Sequence, residues 1–143
     1  MPGQEAGYEF VEHTADLGVR AWGATLEAAF AEAARGMMAY ILDRPEAVEA
    51  REEHPLRIEE QNLDRLLFAF LDELNFKVLT DGLVWRRVRV TRLDPDRCVL
   101  EAVAEGEAHD EERHGHIHEI KAMTYHDIRV TRDPPEVYLI FDI

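Results

Sequence analysis

The chain has 143 residues, with 30 Asp plus Glu against 16 Lys plus Arg, so its formal charge is −14. A chain of this length can bury roughly 70% of its unfolded surface around one core, which excludes two large domains and the need for disulfide or zinc staples. So negative a surface repels phosphate polymers, and direct nucleic-acid binding is not expected as the main activity.

Uninterrupted apolar runs such as Leu66 to Leu71 are far shorter than the roughly 18 residues of a membrane-spanning helix, so no membrane role is expected. The opening MPGQEAGYEF has no basic flank followed by an apolar block, and no export signal is expected. Cys98 is the only cysteine, which rules out an intramolecular disulfide and fits a reducing cytoplasm.

Hydrophobic periodicity switches between 2 and 3.6 along the chain, which predicts one α+β domain over residues 1–143. Tyr8 to His13 and then Leu17 to Trp22 alternate as two strands joined by a polar turn at Thr14 and Ala15. Thr25 can cap a first helix whose face is Leu26, Phe30, Ala33, Met37 and Ile41, ending near Leu42 before Pro45. A short alternation at Leu56 and Ile58 follows. Asn62 can then cap a second helix with the face Leu63, Leu66, Leu67, Phe70, Leu71, Leu74 and Val78.

Beyond Asp81-Gly82 the pattern is β. Leu83 to Leu93 and Cys98 to Glu105 flank Asp94-Pro95-Asp96, a turn in which proline fixes φ and the aspartates cap the backbone. Residues His109 to His118 read as a charged loop. A strand follows in which Ile120, Ala122, Thr124, His126, Ile128 and Val130 alternate with Lys121, Met123, Tyr125, Asp127 and Arg129, and a last strand spans Glu136 to Ile143. Two amphipathic helices on a largely antiparallel sheet bury these faces most simply.

Five features could carry chemistry. In His13-Thr14-Ala15-Asp16 a histidine and a carboxylate flank a tight turn, although by spacing alone turn capping by Thr14 and Asp16 is the commoner use. Asp142 is a charge in the otherwise apolar run Val137 to Ile143. If the chain stops there, Asp142, the terminal carboxylate of Ile143 and Asp16 would make an oxygen-rich pocket for a hard divalent cation, the alternative being a solvated terminus. His114, His116 and His118 would share one face if extended, yet their acidic neighbours Asp110, Glu111 and Glu112 read as a solvated loop rather than a metal site. Lys121, one of two lysines, sits with Glu119 on one strand face, either as an ordinary ion pair or near a phosphate or a partner's carboxylate. Arg86, Arg87, Arg89, Arg92 and Arg97 cluster at the hairpin, read as a solvent-facing surface that offsets nearby acids or as a small docking patch. There is no GxxxxGK[ST], GxGxxG or HExxH motif and no serine, so serine-nucleophile schemes are excluded.

HTAD near the start, TLEAAFAEAA and NLDRLLFAFLDEL in the helices, GEAHDEERHGHIHEIKAMTYH in the second half and a final FDI together resemble the archease family across nearly the whole chain. The resemblance implies a small acidic protein cofactor, not a stand-alone enzyme. Its partner would be the GTP-dependent RNA ligase RtcB, which joins a 2′,3′-cyclic phosphate or 3′-phosphate end to a 5′-hydroxyl in tRNA splicing and RNA repair. It further implies that the protein promotes guanylylation and multiple turnover of that ligase. By position, the family's metal-binding carboxylates correspond to Asp16 and Asp142, with Ile143 completing a calcium site through its terminal or backbone oxygen. His13 and Lys121 are expected to lie near the partner-facing surface, and no role for the HGHIH run is carried over.

Two readings from other classes remain open on the residues. One is a small metal-dependent hydrolase built on Asp16, Asp142 and a histidine, which would turn over without a partner. The other is a chaperone-like module with an exposed apolar patch around Trp22, Met37, Met38 and Tyr40.

Overall fold

The structure is a computed structural model, and it describes residues 5–12 and 16–143. Two strands open it, β1 (Gly7–Glu12) and β2 (Asp16–Trp22), followed by helix α1 (Leu26–Ile41), a 3-10 turn at Pro45–Ala47 and β3 (Glu52–Glu59). Helix α2 (Leu63–Asp81), the hairpin β4 (Leu83–Asp94) and β5 (Val99–Ala108), a one-turn helix α3 (Glu111–His114), β6 (Ala122–Arg132) and β7 (Pro135–Asp142) complete it.

The local signals act where the sequence puts them. Thr25 accepts the Ala28 N–H at 3.1 Å and Asn62 accepts the Arg65 N–H at 2.9 Å, each satisfying a donor that the first helical turn leaves open. Gly82 ends α2 at φ +65, a conformation that costs a residue without Cβ nothing. Asp94 Oδ1 accepts the N–H groups of Arg97 and Asp96, both at 3.0 Å. Those backbone donors, Arg97 first, hold the Asp94 carboxyl below its ordinary range.

The α+β class and antiparallel pairing hold, but the strands form two sheets rather than one. The first has the order β1-β2-β7-β6 and the second β3-β5-β4. Each helix touches both: α1 packs on β2 and β4, and α2 on β6 and β4. Phe30 and Phe70 join the helices with ring centroids 5.9 Å apart, and the Trp85 indole donates from β4 to the Ala34 carbonyl on α1 at 3.3 Å. One apolar core, filled by residues such as Phe30, Met37, Leu67, Phe70, Trp85 and Phe141, thus serves both sheets.

Several expectations need correcting. The His109 to His118 stretch contains the short helix α3, capped by the Asp110 side chain. Cys98, expected to open the second strand of the hairpin, instead lies buried in the β4–β5 turn at φ +57. The β6 alternation is broken between Thr124 and Arg129, where the register to β7 shifts and Asp127 takes φ +56. That bulge changes the phase, so Met123 before it reaches the core, with Ala122 exposed, while Ile128 and Val130 after it pack against the same core. The apolar patch expected at Met37 and Met38 does not exist: both are core residues of α1, with Trp22 and Tyr40 half-buried. Among the described residues no helix is long and apolar enough to cross a membrane.

Candidate functional site

The site grows from the central pair of the first sheet. In β2 and β7, Leu17, Val19 and Ala21 oppose Phe141, Leu139 and Val137, and these six fill the core beneath the sheet. The alternate positions therefore form its outer face. Along that face Asp16 pairs with Asp142, Gly18 with Ile140 and Arg20 with Tyr138. Two carboxylates from opposite ends of the chain thus stand directly across one ladder position, where Cβ atoms are about 4.5 to 5.5 Å apart and like charges are unfavourable.

On its other side Asp142 opposes Ala122 of β6, whose methyl group leaves the Asp142 carboxylate open to solvent. Lys121 is fixed to the same place through its backbone, its N–H donating to the Asp142 carbonyl at 2.8 Å. The residue before it is fixed too. Ile120 is fully buried, and its carbonyl accepts from the buried Asn75 amide of α2 at 3.0 Å. The helix therefore holds the entry to β6 and with it the start point of the Lys121 side chain.

Sequence reasoning missed the second row of this face. Tyr138 lies over Gly18, where a Cβ would sit 2.5 Å from the phenol oxygen and 2.9 Å from Cζ, so only glycine leaves room for the ring. Burial first, with contributions from the charges of Asp127 and Asp16, pushes the phenol above its ordinary range, and Arg129, which stacks over the ring at 4.8 Å, acts the other way. Arg20 beside it is held by Glu136 at 2.6 Å and Glu9 at 3.1 Å. The available signal was the period-2 series Tyr138, Ile140, Asp142, hidden because the opposite face of β7 is equally apolar.

Of the residues singled out from sequence, Asp16, Asp142, Ile143 and Lys121 meet at this end of the first sheet. His13 lies outside the described residues. Asp16, Asp142 and the main-chain oxygen of Ile143 are all hard oxygen donors, the class a Ca²⁺ ion takes, and a cross-strand pair of like charges is the kind of arrangement a cation relieves. Among the described residues no group of three or more His, Cys, Asp or Glu side chains is placed to hold a metal, so such a site would need an oxygen beyond those side chains.

The HGHIH histidines do not share one ligand set. His114 is fully buried; its Nδ1 accepts the Asp110 N–H at 2.9 Å, and its Nε2 lies 3.0 Å from Glu107. His116 pairs with Glu111 at 2.9 Å and His118 with Asp43 at 2.6 Å, tying the loop to the end of α1. The His118 and His116 contacts hold the Asp43 carboxyl low. The Arg113 guanidinium, bonded to Glu107 at 2.6 and 3.2 Å, is the chief reason that the Glu107 carboxyl is lowered to about 2.

The arginines of the hairpin are largely spoken for. Arg87 and Arg89 reach Glu105 at 2.6 and 2.8 Å, Arg92 reaches Glu101 at 3.1 Å, and Arg86 donates to the Glu46 carbonyl. These contacts make a solvent-facing ladder that offsets β5 acids, the plainer of the two sequence readings.

A family model described as the archease protein family (MTH1598/TM1083) matches residues 8–143. A "Protein archease" of Thermococcus gammatolerans is 42% identical over 128 residues, covering 89% of this chain and 89% of the relative. One of Ictalurus punctatus is 37% identical over 138 residues, covering 95% and 85%. The solution structure of protein 1598 of Methanobacterium thermoautotrophicum superposes with a TM-score of 0.76 at 32% identity, covering 96% of this chain and 99% of that one. A crystal structure of a Thermotoga maritima protein described as an archease, possible chaperone, has the same fold at TM-score 0.53 and 19% identity, over 93% and 94% of the chains.

Proposed function

Because the chain belongs to the archease protein family, we propose that it is a protein cofactor of the RtcB RNA ligase, promoting the ligase's guanylylation and repeated turnover. The observation that carries this reading is the Asp16–Asp142 ladder pair, two carboxylates facing one another on an outer sheet face with Lys121 tied to the same strand end.

Each residue has a definable part. Asp16 and Asp142 would hold a divalent cation, calcium by their oxygen chemistry, with an Ile143 oxygen completing the set. Bound there, the cation would supply positive charge to a nucleotide phosphate or to the partner's own metal centre. Lys121 adds an exposed ammonium at the same strand end, suited to a phosphate or to an acidic group of the partner. His13, from the same HTAD segment as Asp16, would face the partner as well. The strongly negative remainder leaves RNA affinity to a basic ligase and speeds encounter with it through opposite fields.

Guanylylation and multiple-turnover ligation by the RtcB ligase encoded in the same genome, with and without substoichiometric amounts of this protein, test the reading. Stimulation is expected, with no turnover by this protein alone. Absence of stimulation, or metal-dependent hydrolysis without the ligase, would replace it with the hydrolase reading. The description of the Thermotoga protein as a possible chaperone gives a second reading, for which suppression of aggregation in several unrelated clients would be the sign.

A further inference from the structure

Among the described residues four large apolar side chains are exposed, and three of them gather on one side. Phe76 is 56%, Leu79 48% and Tyr125 52% exposed. Phe76 and Leu79 are three apart in α2 and so are neighbours on its surface, while Phe68 lies two turns before Phe76 on the same side. Phe68 carries the Tyr125 ring stacked on it, centroids 4.0 Å apart and planes within 8°. Beyond Tyr125 a groove of about 220 Å³ opens between it, Ile128 and the first turn of α2 at Asn62, Asp64 and Arg65. Groove, stacked ring pair and Phe76/Leu79 form one line, about 22 Å long from Asp64 to Leu79 at the helical rise.

This line has a charge of its own. Asp64, Asp72 and Asp81 are exposed along α2, and Asp72 lies between Phe68 and Phe76 at the i, i+4 spacing from each. Of the two cations of the helix, Lys77 is held by Glu73 at 3.9 Å, and Arg65 sits at the groove. Beneath the line, the buried Asn75 next to Phe76 bonds the Ile120 carbonyl, and Lys121 follows at the entry to β6, where its N–H is bonded to the Asp142 carbonyl of β7. Aromatic and aliphatic anchors set among acids fit a counterpart that presents apolar anchors among lysines and arginines. A second copy of this chain would bring acid against acid.

We propose that the α2–Tyr125 surface is the docking face for a basic, apolar-anchored segment of the protein partner, placing the Asp16–Asp142 end against that partner's reaction centre. The assignment rests on the ligase reading above. It separates two tasks of the molecule, docking by Phe76, Leu79 and Tyr125, and activation by Asp16, Asp142 and Lys121. Large side chains in such a position act as the anchors that carry most of an interface's affinity.

Titration of the RtcB ligase of the same genome with the full chain tests this, read alongside guanylylation. Phe76→Ser with Leu79→Ser is expected to weaken binding at least tenfold, with an unchanged circular dichroism spectrum, and stimulation should return when the variant is added in excess. Asp72→Lys should slow association and flatten its salt dependence. Asp142→Ala should lose stimulation while its affinity falls far less than that of the double serine variant. If the wild type stimulates while the double serine variant and Asp72→Lys both bind within twofold of it, the docking face is wrong and the cofactor reading stands. If the wild type neither binds nor stimulates, both fall. Sedimentation showing a wild-type dimer that Phe76→Ser dissolves would make a second copy the occupant and overturn the proposal.

Discussion

Asp16 and Asp142 occupy the same ladder position on adjacent antiparallel strands, β2 and β7, the first half-buried and the second exposed. Like charges directly opposite in a sheet cost roughly 0.2 to 1 kcal/mol. Asp142→Asn is therefore expected to leave stability without divalent cation unchanged or raised by about that amount. The same variant should lose the rise in melting temperature that calcium gives the wild type, since a ligand stabilises only the state that binds it. Calorimetric melts with calcium and with chelator check both halves.

The buried Asn75 amide is the pin between α2 and the entry to β6. Asn75→Leu leaves the Ile120 carbonyl without this donor, at a cost of roughly 1 to 3 kcal/mol. Urea denaturation measures the cost. Hydrogen exchange should show faster opening at the Lys121 N–H, whose bond to the Asp142 carbonyl depends on that anchor.

Glu107 anchors the loop between β5 and β6. Its carboxyl is lowered from the ordinary 4.5 to about 2, chiefly by Arg113, with the Glu49 N–H and His114 adding to it. A depressed pKa means that the folded state holds the ionised form more tightly than the unfolded chain does. The stabilisation is therefore complete above pH 4.5 and is lost as pH falls toward about 2. Glu107→Gln should cost roughly 2 kcal/mol at pH 7, below the usual range for buried pairs because the arginines stay partly hydrated, and should flatten the acid limb of stability against pH.

Gly106 pairs with Trp85 where the β4–β5 register shifts, and a Cβ there would collide with the Val84 carbonyl and lie 2.6 Å from the Trp85 Cα. Backbone atoms cannot step aside as a side chain does. Gly106→Ala is expected to cost 3 kcal/mol or more, on the order of other strained core substitutions, read as a loss of soluble folded protein or a strongly lowered melting temperature.

Much of the fold was legible because period and capping agreed: Thr25, Asn62 and Gly82 bound helices whose apolar faces pack as their spacing requires. The division into two sheets was not, since alternation says which face of a strand is buried and nothing about which strand lies beside it. The bulge in β6 was hidden for a related reason, the shift at Asp127 having no glycine to mark it. At the site, the family resemblance pointed to Asp16, Asp142 and Lys121, but only strand order puts β2, β7 and β6 side by side. Tyr138 and Gly18 escaped notice because a tyrosine and a glycine in apolar strands carry no local signature of facing one another.

Single-turnover guanylylation of the RtcB ligase from the same genome, measured with the wild-type chain and with Asp142→Ala at equal folded concentration and saturating calcium, tests the central claim most directly. The acidic ladder pair predicts that the wild type accelerates guanylylation and that Asp142→Ala leaves the ligase at its unassisted rate. Acceleration by Asp142→Ala equal to that of the wild type would contradict it.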